Sequence, residues 1–207
     1  MSAMIGIVDY GSGNIAAIMN VLKRQKIPHF LSGNPTELQK ADRFILPGVG
    51  AFDPTMEVLN RNAMIETLRE EVYGKGKKIL GICVGMHLLA DGSDEGERAG
   101  LGWVPGNVTR IDAATLPRKP YLPHMGWNSL AFSDDPIFEG LNPEMGFYFL
   151  HSFYFKAADH AHVIARVHYG TDLPCAVRNG NVYGVQFHPE KSHKNGMRLL
   201  KNYAELD

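Results

Sequence analysis

Cys83 stands between two glycines in Gly81-Ile82-Cys83-Val84-Gly85, after the apolar run 78–82 and before Met86-His87-Leu88-Leu89. A cysteine at a strand-to-helix turn is placed like the serine of a nucleophile elbow, with sulfur in place of oxygen. The flanking glycines suit such a turn, which is too sharp for a Cβ on either side and lifts the nucleophile clear of the strand. Free N–H groups at the start of the helix favour the thiolate, the form that attacks. A small buried cysteine in a glycine-rich turn is the plainer reading of the same residues. Cys175, behind Pro174 in a β-rich stretch, has no such setting and reads as packing.

A thiolate needs a base that is itself held by a third group. Gln186-Phe187-His188-Pro189-Glu190 offers both at the end of an apolar strand. Residues two apart in an extended chain face the same side, so Glu190 can hold the His188 imidazole in the tautomer that serves Cys83. A tetrahedral intermediate also needs two N–H donors for its oxyanion. Val84 N–H, beside the nucleophile, is one, and the backbone of Gly48-Val49-Gly50, with Gly50 as the expected donor, offers the other.

These groups are positioned by repeated strand, loop and helix units. The run 4–8 ends in Asp9-Tyr10-Gly11-Ser12-Gly13-Asn14, after which Ile15, Ile18, Met19 and Leu22 recur at helical spacing. Phe44-Ile45-Leu46 predicts a brief strand, Pro47-Gly48-Val49-Gly50 a turn, and residues 56–68 a helix. With the unit around Cys83, three such cycles imply an α/β fold with a central, mostly parallel sheet flanked by helices. Ligands then lie at the carboxyl ends of the strands. Beyond about Val108 the pattern shifts to short β-rich runs at 147–150, 163–167, 176–177 and 182–187, with Asn179-Gly180-Asn181 as a hairpin turn. An antiparallel or mixed extension is expected there, closed by a helix over 195–206. The acidic stretch 91–97 reads as a solvated loop.

The 207 residues suit one domain, 1–207, at roughly 150 residues per domain. A hydrophobic content of 44 % supplies its core without disulfides or metals. Twenty-one Lys and Arg against 22 Asp and Glu leave a charge of −1 with no basic run, which argues against nucleic acid. No stretch of about eighteen apolar residues predicts a membrane span. Two unlike cysteines and a start without a charged, apolar leader point to a reducing cytoplasm. No cofactor and no metal is called for.

Together, Gly81-Ile82-Cys83-Val84-Gly85-Met86, Pro47-Gly48-Val49-Gly50 and His188-Pro189-Glu190 resemble the class I, triad-type glutamine amidotransferases. Residues 8–14, Pro123-His124-Met125-Gly126-Trp127-Asn128 and His188-Pro189-Glu190-Lys191-Ser192 are similar to the branch of that family whose members feed imidazole glycerol phosphate synthesis in histidine biosynthesis. The resemblance runs essentially end to end. It implies that Cys83, His188 and Glu190 hydrolyse L-glutamine and that the ammonia passes to a (β/α)8-barrel synthase subunit, the partner in a heterodimer. It further implies that Gly50, His151 and Ser152 contact glutamine, and that Asn14, Trp127, Tyr148 and Lys191 line the partner-facing surface. One residue departs from the pattern: the family usually carries Gln four residues after the nucleophile, where this chain has His87. His87 is expected to face the substrate and, charging near about pH 6.5, to make glutamine binding pH-dependent. A paralogue serving another synthase, such as one aminating a sugar for surface polysaccharide, and a non-catalytic regulatory subunit remain as alternative readings.

Overall fold

The computed structural model describes residues 3–61, 63–116 and 122–207. Four strands of the first half, β1 (Ile5–Val8), β2 (His29–Ser32), β3 (Arg43–Gly48) and β4 (Lys78–Cys83), pair in parallel. They are followed by β5 (Gly92–Ser93), β6 (Gly106–Arg110), β7 (His124–Asn128), β8 (Leu130–Phe132), β9 (Phe147–His151) and β10 (Phe153–Ala157). Last come β11 (Val163–Tyr169), β12 (Thr171–Asn179) and β13 (Val182–Val185). The main sheet runs β2-β1-β3-β4-β13-β12-β11-β8, with β10-β6-β5 and β7-β9 as two small sheets. β13 lies parallel to β4, whereas β12, β11 and β8 continue antiparallel. This is the mostly parallel sheet with an antiparallel extension that the sequence implies.

β1, β3 and β4 are buried almost throughout, as strands covered on both faces must be. Helix α1 (Ile15–Arg24) buries Ile18 and Leu22; it is followed by α2 (Pro35–Leu38), α3 (Phe52–Arg61), α4 (Met64–Arg69) and α5 (Val84–His87). The closing helix α6 (His193–Glu205) packs beside α1, and its Tyr203 hydroxyl donates to Phe44 O at 2.6 Å.

Four local expectations change. Pro47 and Gly48 extend β3 as partners of Ile82 and Cys83 and are not a turn. The β1 ladder on the other side ends at Ile45, so the N–H that Pro47 lacks is not missed there. The helix expected over 56–68 breaks at Ala63, which takes φ 51 and ends any continuous ladder. The helix after Cys83 is a single turn, so the donors beside the sulfur are local N–H groups and not the pole of a long dipole. The acidic stretch is not merely solvated: Glu95 accepts the Phe52 N–H at 3.0 Å, and Asp53 accepts the N–H groups of Glu97 and Arg98. These bonds tie it to the start of α3.

Gly85 and Gly81 allow α5 to leave β4 in contact with β3. A Cβ on Gly85 would sit 1.9 Å from Leu46 O, and one on Gly81 would sit 2.5 Å from Gly85 O. Gly180, by contrast, takes φ +56 in the β12–β13 hairpin with open space around it. Gly85→Ala is therefore expected to cost at least about 3 kcal/mol or to abolish cooperative unfolding, by forcing backbones apart. Gly180→Ala is expected to cost only about 1 kcal/mol. Urea titrations of the two variants check this; equal losses would contradict it.

Candidate active site

The carboxyl ends of β1, β3, β4 and β13 converge on one edge of the sheet, where parallel α/β sheets place their ligands. A cleft of about 310 Å³ opens there, walled by Val49, Gly50, Cys83 and Val84 on one side and by His151, Ser152 and His188 on the other. Cys83 ends β4 with φ 55 and ψ −113, a conformation that cysteine adopts only under constraint, and it is almost wholly buried.

His188 lines the cleft with Cys83, which with Glu190 is among the groups that raise its pKa, and its Nδ1 bonds Glu190 Oε1 at 2.9 Å. The turn that carries it is fastened to β9. His188 N–H donates to Tyr148 O at 2.9 Å, Tyr148 N–H donates to Ser192 Oγ at 3.0 Å, and Ser192 Oγ–H donates to His188 O at 2.6 Å. Asn14 Nδ2 donates to Glu190 Oε1 at 3.3 Å from a position 176 residues away, while Glu190 Oε2 is buried without a partner. Asn14, expected on a partner-facing surface, thus holds the carboxylate behind the imidazole. Such a contact leaves no trace in local spacing. Gln186, by contrast, shares the two-residue period of His188 and Glu190 and lies behind Cys83, its Nε2 4.0 Å from Sγ. That signal was available in the sequence for Gln186 as it was for Glu190.

Val84 N–H opens α5 next to the sulfur, and Gly50 takes φ +104 with open space about it. The peptide between them in space is tied down. Val49 N–H donates to Ser12 Oγ at 3.0 Å, Ser12 Oγ–H donates to Val49 O at 2.8 Å, and the Tyr10 hydroxyl donates to Pro47 O.

Four histidines around the cleft are pushed in opposite directions. Burial lowers the pKa of His188, but hydrogen bonds to Cys83 and Glu190 and their negative charge outweigh it and raise it to about 9. His87 is pushed down to about 4 by burial, against its bond from Nε2 to Gln186 Oε1 at 2.8 Å. It lines the cleft, yet it stays neutral at every pH near neutrality, so the expected charging of His87 near its ordinary pKa is corrected. Burial likewise lowers His124 to about 4 and His151 to about 3. The tautomers of these two follow from their partners. His151 Nδ1–H donates to Phe153 O at 2.8 Å, so His151 Nε2 accepts from His124 Nδ1–H at 2.9 Å. The His151 ring therefore has no nitrogen left for glutamine, and only its backbone remains for the contact expected of it. Trp127 and Tyr148 pair across β7 and β9; Trp127 stacks on His193 at 5.0 Å and Lys191 Nζ lies 5.4 Å over the Tyr148 ring.

Residues 6–205 match the family model described as glutamine amidotransferase class-I. Among curated relatives, the protein named imidazole glycerol phosphate synthase subunit HisH of Bdellovibrio bacteriovorus is 49 % identical, over 98 % of this chain and 100 % of its own. The subunit of the same name from Leptospira borgpetersenii is 42 % identical over the same shares. Among solved structures, one titled crystal structure of glutamine amidotransferase superposes with a TM-score of 0.74 at 24 % identity, covering 98 % of this chain and 97 % of that one.

The opposed histidine shifts set a stability profile. His87, His124 and His151 have folded pKa values below the ordinary 6.5, so their stabilising effect is complete above about 6.5 and is lost as pH falls toward 4. His188 has the opposite sign: its contribution is complete below 6.5 and is lost as pH rises through about 9. Tm is expected to peak near pH 6.5 and to fall more steeply on the acid side, where each histidine contributes up to about 1.4 kcal/mol per pH unit. Melts across this range check it; a flat Tm between about pH 6.5 and 4.5 would contradict it.

Proposed function

The chain belongs to the class I glutamine amidotransferases, and from that premise we propose that it is the glutamine-hydrolysing subunit of an imidazole glycerol phosphate synthase in histidine biosynthesis. One observation carries the chemistry: His188 shares the cleft with Cys83 while its Nδ1 is held by Glu190 Oε1 at 2.9 Å. Matches at 42–49 % identity along nearly the whole chain support the pathway. The family match over 6–205 supports reading the chain as one such domain.

With its pKa raised to about 9, His188 starts with both ring protons beside Cys83, whose thiolate is the form that attacks. The sulfur attacks the side-chain amide carbon of glutamine, and the carbonyl oxygen becomes an oxyanion met by Val84 N–H and a donor in the 48–50 segment. Collapse breaks the C–N bond, and His188 gives its Nε2 proton to the leaving ammonia. The product is a γ-glutamyl thioester on Cys83. His188, now neutral, takes a proton from water, whose oxygen attacks the thioester. Glutamate leaves and the Cys83–His188 ion pair is restored. Glu190 keeps Nδ1 oriented throughout, with Asn14 on its Oε1.

The rim of the cleft supports a docking face for the synthase subunit, which the family resemblance implies is a (β/α)8 barrel. Val49, Met125, Trp127 and Leu150 are large apolar side chains exposed there, with Lys191 beside them. In this reading the complex is a heterodimer that passes ammonia across the covered rim. Ser12 holds the Val49 peptide with its N–H turned to the hydroxyl, so a partner pressing on this rim can shift the segment toward the donor arrangement. The two unpaired, buried thiols suit a reducing cytoplasm.

With glutamine and the partner synthase, Cys83→Ala is expected to abolish glutamate release while synthesis from added ammonium salt persists. His188→Ala is expected to lower turnover by at least about 10⁴-fold and Glu190→Gln by less. Release of glutamate by Cys83→Ala, or an unaffected Glu190→Gln, would overturn the triad. The chain alone is expected to turn over glutamine at least about tenfold more slowly than with its partner and the partner's nucleotide ligand, the low end of ordinary allosteric coupling. Full activity of the lone chain would remove the gating.

A further inference from the structure

Gln186 lies behind the nucleophile and bonds His87 at the cleft wall; both are buried, and the hydrolysis above uses neither. Gln186 is an amide held between two unlike neighbours: Cys83 Sγ at 4.0 Å from its Nε2, and His87 Nε2 at 2.8 Å from its Oε1. A carboxamide has one donating and one accepting end, whereas a thiolate only accepts. The end that suits the sulfur is the NH₂, which leaves Oε1 to His87. His87 must then carry its proton on Nε2, leaving Nδ1 a bare acceptor, and Nδ1 is the ring atom that is buried with no partner. The opposite tautomer would bury an unpaired N–H, which folded proteins tolerate less well than an unpaired acceptor. It would also flip the amide and turn its oxygen to the sulfur. Burial keeps the ring neutral, so a single proton sets the direction of the whole chain.

We propose that His87 and Gln186 are positioning residues that aim an amide N–H at Cys83 Sγ and hold the sulfur in its reactive thiolate form. This rests on the reading of Cys83 as the nucleophile. With its proton on Nε2 and Nδ1 left as the unpartnered acceptor, the neutral imidazole holds Gln186 in one sense. The other titratable groups about the sulfur are fixed. His188, backed by Glu190, is charged; Tyr10 at the end of β1 is kept neutral by burial; His151 on β9 is neutral. Glu95 and Lys191 line the same cleft.

The test follows iodoacetamide alkylation of the full chain against pH, reading the Cys83 and Cys175 peptides separately by mass spectrometry. Gln186→Leu is expected to move the pH of half-maximal Cys83 alkylation upward by about one unit, the effect of losing one hydrogen bond to a charged group. His87→Phe should move it the same way by less, because the freed amide still turns an N–H to the sulfur part of the time. The double variant should match Gln186→Leu alone, since the two residues act in series. Gln186→Glu, which keeps the shape and puts an acceptor against the sulfur, should shift it further and serves where Gln186→Leu does not fold. An unmoved midpoint in folded Gln186→Leu or Gln186→Glu, or additive shifts in the double variant, overturns the proposal. Wild-type Cys83 reacting no faster than Cys175 overturns the nucleophile reading itself, a distinct result.

Discussion

Cys83 holds φ 55 and ψ −113 at the end of a central strand, a placement that costs about 1–3 kcal/mol and persists only where neighbours over-determine it. The neighbours are backbone. Gly48 of β3 lies so close that its Cβ would fall 2.4 Å from Gly85 N, and Gly85 in turn abuts Leu46 O. β3, β4 and the first turn of α5 therefore lock together through three positions without side chains. Because β13 is parallel to β4, its carboxyl end delivers Gln186, His188 and Glu190 to the same edge. The cleft follows from the turn rather than the reverse.

Electrostatics then divides like groups by their partners. Four imidazoles lie around the cleft, and burial alone would make all of them poor bases at neutral pH. His87, His124 and His151 meet a carboxamide, a ring and a carbonyl, which leave them neutral. Of the four, only His188 has a carboxylate on a ring nitrogen and Cys83 among the groups that perturb it, and only its pKa rises. The neutral three fix geometry; the charged one moves protons. A single acid–base group in a field of silent ones keeps the proton path unambiguous.

What the sequence reveals and what it hides follows from the distance over which each feature is encoded. The Cys83 elbow, the His188–Glu190 pair and the Asn179-Gly180-Asn181 hairpin are written in fewer than ten consecutive residues each, and turn chemistry or strand period suffices to read them. Pro47 reads as a turn because its lost N–H is a liability in most central strands; that β1 stops pairing at Ile45 is a fact of register, visible only in three dimensions. The hold of Asn14 on Glu190 and of Ser12 on Val49 spans 176 and 37 residues, with no periodicity to announce either. His87 stands out as unusual in sequence, but its charge depends on burial and on Gln186, so composition alone gives it the wrong pH behaviour.

The central claim is that sulfur at the strained turn becomes covalently bonded to substrate. Acid quenching of the partner-bound protein during turnover of isotopically labelled glutamine, followed by peptide mass spectrometry, tests it most directly. The expected result is a labelled γ-glutamyl adduct on the peptide carrying Cys83 and none on the peptide carrying Cys175. Labelled glutamate released with the adduct on another residue, or with none on Cys83 under conditions that preserve thioesters, would contradict it.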